Sequence, residues 1–318
     1  MTSCPPPYRP LRGAEPPHFV DRAGDGDIGA TGLAAGSAEA YLAGPGDPRF
    51  HRVITAAPGL GKTAALRAIG KEAASRLGWA VVLHHCQPKE RALGLVADEV
   101  GSSVRQAWPA ETGRFAREVL AFGQPSTRAA TSAERSAFSS LAPACQDVAP
   151  GPGPTWHVLK NFLRLAGLFA NSLSRGLVVM FDDADRLGGG EVEVLGHLAK
   201  SLARDELPVA LALSGSPPLG ARFARAGNFS RTVWASTLSR FDDDEAREAL
   251  LIPAADRGVE IEEEALALLC ATAAGSPLEI QRLGFAAWSA KDRPDVITLA
   301  DAEEALGAVS PGVAARAS

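Results

Sequence analysis

The residues able to do chemistry gather first in Ala56-Ala57-Pro58-Gly59-Leu60-Gly61-Lys62-Thr63. A glycine-bearing loop closing on Lys-Thr suits a polyphosphate. The backbone of Ala57, Pro58, Gly59, Leu60, Gly61, Lys62, Thr63 and Ala64 would wrap the phosphates, with free N–H groups and the positive end of the following helix turned toward them. Lys62 reaches the β- and γ-phosphates, and the Thr63 hydroxyl is a ligand for Mg²⁺. Ala56 stands where the G-x-x-x-x-G-K-[ST] pattern begins with Gly, and it fits there if its φ is negative. The stretch reads as a nucleotide site.

A second reactive stretch is Leu177-Val178-Val179-Met180-Phe181-Asp182-Asp183, an apolar run closing on two carboxylates. In an open parallel sheet its acidic end lies at the same edge as the phosphate loop. Asp182 is then the candidate for Mg²⁺, directly or through water, and Asp183 the candidate to orient or activate the attacking water. Alone, such a pair reads as a solvated strand end; the phosphate loop gives it a role.

The elements that must position these groups follow from periodicity. Strand Arg52 to Thr55, the phosphate loop, helix Thr63 to Leu77 and strand Trp79 to His84 form a βαβ unit and imply a parallel sheet. Leu66, Ile69, Ala73 and Leu77 share one face of that helix, and Gly78 stops it. Helices are expected over Pro88 to Trp108, Arg114 to Phe122, Trp156 to Leu173 and Glu191 to Arg204, with a short one from Ser37 to Leu42. Further strands are Pro208 to Leu213 and Arg231 to Ser236. After Arg240 the pattern is helical only, over Asp243 to Ala255, Ile261 to Ala273, Pro277 to Ala290 and Thr298 to Leu306. Asp243 and Thr298 read as N-caps, and Pro277 suits a first turn. His84-His85-Cys86 contains metal-ligand types, but neighbours on a strand point to opposite faces and do not converge.

The fold class is therefore α/β, a five-stranded parallel sheet flanked by helices and followed by a small helical lid. Residues 1–17 read as a disordered Pro-rich N-terminus, 18–240 as the nucleotide domain with a flexible insertion at about 123–154, 241–310 as the lid and 311–318 as a tail. With 318 residues, 46% hydrophobic and 22% charged, the chain supports a core in each domain. A net charge of −5 and a pI near 5.8 disfavour a broad nucleic-acid footprint without excluding a local one. The four cysteines lack C-x-x-C spacing and read as free thiols of a reducing cytoplasm. No apolar run is long enough to span a membrane and no signal-peptide core is present.

Taken together, the motifs resemble the AAA+/STAND branch of P-loop ATPases, specifically bacterial proteins with an origin-recognition-like (AAA_16-like) ATPase domain. The phosphate loop and the Phe181-Asp182-Asp183 segment match in order. Phe19-Val20-Asp21-Arg22 resembles the family's N-terminal element, which implies that Val20 lies near adenine. Gly275-Ser276-Pro277-Leu278 resembles the lid's G-x-P motif and implies a nucleotide contact at Pro277. Arg231 lies where such proteins often carry an arginine finger, and Ser214 where they carry the polar sensor at the fourth strand's end. The departures are Asp183 in place of the usual Glu, a short Ser at 214, and no lid Arg at the phosphate-contacting position, with Arg282 one turn further along. The resemblance implies ATP and Mg²⁺ as ligands and self-association or a protein client as partner.

Three functions fit. One is an ATPase that couples hydrolysis to a conformational or assembly change. Another is a nucleotide-gated switch or scaffold with little hydrolysis. The third is a DNA-binding initiator, disfavoured by the acidic balance and by the absence of a winged-helix segment after the lid.

Overall fold

The computed structural model describes residues 5–10, 18–22, 32–87, 92–120, 154–225 and 233–309. Five parallel strands form the central sheet: β1 (His51–Thr55), β2 (Ala80–His85), β3 (Leu177–Asp182), β4 (Val209–Gly215) and β5 (Val233–Thr237), in the order β2-β3-β4-β1-β5. The fold is that of a P-loop NTPase. Helices α1 (Leu33–Ala43) and α2 (Lys62–Leu77) cover one face. On the other lie α3 (Ala92–Ala107), α5 (Pro154–Ser172), α6 (Gly189–Arg204) and α7 (Pro217–Arg225), with the one-turn α4 (Thr112–Phe115) and a wider helical turn over Ala116–Leu120.

The unbroken apolar sequence of β3 follows from this layering. Leu177, Val179 and Phe181 face the core with α5 and α6, whereas Val178 and Met180 face the core with α2. β4 divides in the same way, with Leu211 and Leu213 on one side and Ala210 and Ala212 on the other. The small residues lie on the α2 side, where the helix must come close.

The helical lid comprises α8 (Asp243–Ala255), α9 (Glu263–Ala273), α10 (Pro277–Ala290) and α11 (Leu299–Val309), with a two-residue parallel pair β6 (Glu260–Ile261) and β7 (Val296–Ile297). The N-cap of α8 is Asp242, one residue before the expected Asp243; its carboxylate accepts from Glu245 N at 2.8 Å. Thr298 caps α11 through reciprocal bonds with Asp301. The expected insertion at 123–154 lies outside the described residues but for Pro154, which begins α5, and so does the tail.

One expectation needs correction. The Pro-rich N-terminus is not solvated throughout, because Tyr8 is buried in the lid core. Its hydroxyl donates to Leu250 O at 2.7 Å and its ring meets Trp288 edge-on. Gly284 makes the room: a Cβ there would lie 2.7 Å from the Tyr8 ring. A bulky aromatic with a matched hydrogen bond outweighs the disorder that proline content suggests.

His51 begins β1 fully buried, and its Nδ1 accepts the Leu211 N–H at 3.1 Å. Burial pushes its pKa down to about 3. The folded protein therefore keeps His51 neutral where the unfolded chain takes up a proton below its ordinary pKa of about 6.5. Stability is full above that pH and falls as the pH drops below it. From pH 6.5 to 5 this group should cost roughly 2 kcal/mol. Urea unfolding at both pH values is expected to show that loss in the native chain and not in His51→Asn; an equal loss in both would refute it.

Candidate functional site

The phosphate loop leaves the carboxyl end of β1 and runs directly into α2, which gives the loop its helix N-terminus. Gly59 and Gly61 adopt positive φ, 83° and 88°. Gly59 has a second reason to be glycine, since a Cβ would lie 3.3 Å from Leu278 Cβ of the lid. Ala56 is absent from the positive-φ residues, is buried, and donates its N–H to Gly215 O at 3.1 Å. The missing first glycine of the motif is thereby accommodated. Lys62 Nζ donates to the carbonyls of Ala56 at 3.0 Å and Ala57 at 3.3 Å.

At the end of β3, Asp182 shares a sheet face with Val178 and Met180, the face covered by α2. Thr63 is on α2's first turn, and its hydroxyl donates to Asp182 Oδ2 at 2.7 Å. Ser214 on β4 and His85 on β2 have the same parity and flank Asp182. Ser214 Oγ donates to Asp182 Oδ1, and His85 Nδ1 lies 3.0 Å from Oδ2. A carboxylate accepts only, so His85 Nδ1 carries the hydrogen. Three donors thus compensate a carboxylate that is 4% exposed.

Asp183 follows in the left-handed conformation, φ 53°, with its N–H donating to Ser214 Oγ at 3.2 Å. Its own carboxylate is half exposed and pairs with Arg186 at 3.2 Å. Asp185 accepts from Ser216 N at 2.6 Å and Ser216 Oγ at 2.9 Å, which ties the β3 turn to the start of α7.

These groups line one cleft of about 700 Å³, a volume in the range of small-molecule sites. Its walls include Ala56, Pro58, Gly59, Gly61, Lys62, Thr63 and Ala64 from the loop, with Asp182 and Asp183 opposite. Pro277 and Leu278 close it from the lid, and Leu278 N–H donates to Gly59 O at 3.1 Å. An adjoining apolar slot contains Phe19, Val20, Leu60, Leu238, Phe241 and Pro277. Val20 and Pro277 both border this slot beside the loop. Asp21 holds this segment by accepting from Ala34 N and Ala35 N at the start of α1. Arg22 lies 4.4 Å over the Phe241 ring and donates to Leu60 O at 3.3 Å. Phe241 N in turn donates to Gly275 O, which ties the segment between β5 and α8 to the G-x-P motif.

One expectation differs from the structure, and one falls outside it. Ser214 is fully buried, does not line the cleft, and spends its hydroxyl on Asp182 and the Asp183 amide. Its side chain is too short to pass the carboxylate beside it. Arg282 pairs with Glu279 at 2.9 Å and is not a cleft residue; Gln281, one position earlier on α10, is. Arg231 lies outside the described residues.

Sequence reasoning missed Arg67, His85, Arg186, Ser216, Gln281 and Pro10, all of which line the cleft. His85 was legible only as a member of a His-His-Cys run; its place depends on β2 lying beside β3 with His85 opposite Asp182. Among the described residues, no group of three or more His, Cys, Asp or Glu forms a metal cluster. The oxygen pair Thr63–Asp182 beside a helix N-terminus nevertheless fits Mg²⁺, a hard cation that takes few protein ligands and keeps several waters.

No protein-family model and no curated protein matches this sequence. Solved structures do match. A Walker-type ATPase of Pyrococcus abyssi superposes with a TM-score of 0.54 at 17% identity, covering 87% of this chain and 69% of that one. The RuvB Holliday junction branch migration motor of Thermotoga maritima gives a TM-score of 0.47 at 15% identity, over 87% of this chain and 66% of its own length, just under two thirds. Cdc6p from Pyrobaculum aerophilum gives 0.42 at 13% identity, over 77% of this chain and 57% of that one. The fold shared with the Walker-type ATPase is that of a P-loop NTPase. Among the described residues, no helix is long and apolar enough to cross a membrane.

Proposed function

We propose that this chain is a Mg²⁺-dependent ATPase of the STAND-like AAA+ branch, one that couples nucleotide binding and hydrolysis to movement of the lid. One observation carries the reading: the phosphate loop, the Thr63–Asp182 pair and the lid helix α10 meet around a single cleft, with Leu278 N–H bonded to Gly59 O. A ligand that moves Gly59 moves the lid. The relation to bacterial origin-recognition-like ATPases, a cytoplasmic location and a protein client or self-association belong to the same proposal, with Arg231 as the residue offered to a neighbouring protomer.

The chain's own groups would work as follows. Lys62 exchanges its two loop carbonyls for phosphate oxygens, joined by the N–H groups at the start of α2. Thr63 and Asp182 hold the Mg²⁺, which when bound offsets negative charge on the phosphates. Ser214 and His85 keep Asp182 aimed at Thr63. Asp183 orients the attacking water. The base would lie against the apolar side chains of Phe19, Val20 and Phe241, whose slot of about 20 Å³ must widen to admit it.

A second reading, a nucleotide-gated switch with little hydrolysis, is favoured by Asp183 alone. Its carboxylate is one methylene shorter than Glu and is occupied by Arg186. A set-back of about 1 Å costs on the order of a hundredfold in rate. Asp183→Glu is therefore expected to raise turnover with ATP affinity unchanged, and Asp183→Asn to lower it. A lower rate in Glu with an unchanged rate in Asn would move the water-orienting role elsewhere. The same steady-state assay, by measuring wild-type turnover, separates the ATPase from the switch.

A further inference from the structure

Among the described residues, the lid presents one polar side chain to the cleft, Gln281 on α10. It is 6% exposed, and that remaining surface faces the cleft. The Arg9 backbone N–H donates to Gln281 Oε1 at 2.9 Å. A backbone N–H must meet an acceptor, and this settles which end of the amide is oxygen. The Nε2 group, with two N–H donors, is left without a partner among the described residues. An amide N–H pair that opens on a cleft lined by a phosphate loop is placed to donate to an anionic acceptor there.

The segment that fixes this orientation is itself anchored. Tyr8 is buried in the lid core and bonded to Leu250 O, and Gly284, one turn beyond Gln281, opens the space for its ring. Pro10, on the far side of Arg9, lines the same cleft. The chain from Tyr8 to Pro10 is thus a strap laid along α10, pinned at one end in the lid and ending at the cleft.

We propose that Gln281 is the lid's hydrogen-bond donor to the phosphate chain of the bound nucleotide, and that the Tyr8–Pro10 strap aims it. The inference rests on the reading of the cleft as an ATP site. A neutral donor is suited to a reversible contact: it adds a bond when phosphate arrives and leaves no buried charge when phosphate departs. Tyr8 is a positioning residue that acts through Arg9 and Gln281.

The test is calorimetric titration of the full chain with ATP and Mg²⁺. Gln281→Glu keeps an oxygen for the Arg9 N–H and turns a carboxylate on the phosphates; ATP affinity should fall about tenfold or more. Gln281→Met, similar in size and without donors, should fall about threefold to tenfold, and it guards against misfolding of the charged variant. Tyr8→Ala should weaken binding, and Gln281→Met added to it should cost less than it does in the native chain. Wild-type affinity in both Gln281 variants overturns the proposal. Additive losses in the Tyr8→Ala, Gln281→Met pair overturn the strap's role, since a merely structural Tyr8 would not couple to Gln281. Absence of ATP binding by the wild-type chain overturns the ATP-site reading itself, and that outcome is visible before any variant is made.

Discussion

Lys62→Ala is expected to weaken ATP binding on the order of a hundredfold or more, with the fold intact. Lys62 is half-buried at the start of α2, and among the described residues its Nζ donates to the carbonyls of Ala56 and Ala57. These two neutral contacts are what the folded chain loses. What the complex loses is larger, because an ammonium held among N–H donors makes charge-assisted bonds to phosphate worth roughly 1.5–3 kcal/mol each. Thermal unfolding without nucleotide should therefore move little, while calorimetry should show the affinity collapse. Equal affinity in the two proteins would remove the loop from the ligand.

The second large effect is expected at Asp182. Asp182→Asn keeps the shape and removes the charge, but an amide cannot serve all the donors now aimed there. Its oxygen replaces one acceptor, and its NH₂ faces Thr63, His85 or Ser214, each of which donates in the native protein. Stability should fall modestly. Turnover with Mg²⁺ should fall on the order of a hundredfold or more, the size of a lost metal contact in phosphoryl transfer. ATP affinity measured in EDTA should change far less, and this contrast is the diagnostic one. A variant that hydrolyses ATP as fast as the native chain would show that Asp182 is only a structural acceptor.

The parts of this site that were legible in the sequence are those set by local geometry. A strand, a Gly-rich turn and a helix in immediate succession place Lys62 and Thr63 at a helix N-terminus whatever the rest of the chain does. The run Leu177–Asp182 announces a strand buried on both faces, because each parity must be apolar in a sheet covered by two helical layers. Lid helices α8 and α10 span Asp243–Ala255 and Pro277–Ala290, the stretches their apolar spacing indicates, and Pro277 sits in the first turn of α10.

What sequence did not reveal depends on neighbours far along the chain. His85 reaches Asp182 only because β2 is hydrogen-bonded to β3 in one particular register. Ser214 was expected at the phosphates, yet strand order puts it beside Asp182, and a hydroxyl there is captured first by the carboxylate. Helix α7 was not anticipated; it begins at Pro217-Pro218, and prolines in a first turn leave no intrahelical bond unmade. Tyr8 was read by the composition around it rather than by the groove that Gly284 opens 276 residues later. In each case the deciding partner lies in another element.

The most direct test of the central claim is titration of the wild-type chain with ATP in the presence of Mg²⁺ and again in EDTA. The structure predicts one saturable site per chain, tighter with Mg²⁺ because Thr63 and Asp182 then hold the cation against the phosphates. No binding at millimolar ATP, or binding indifferent both to Mg²⁺ and to Lys62→Ala, would contradict the assignment of the cleft.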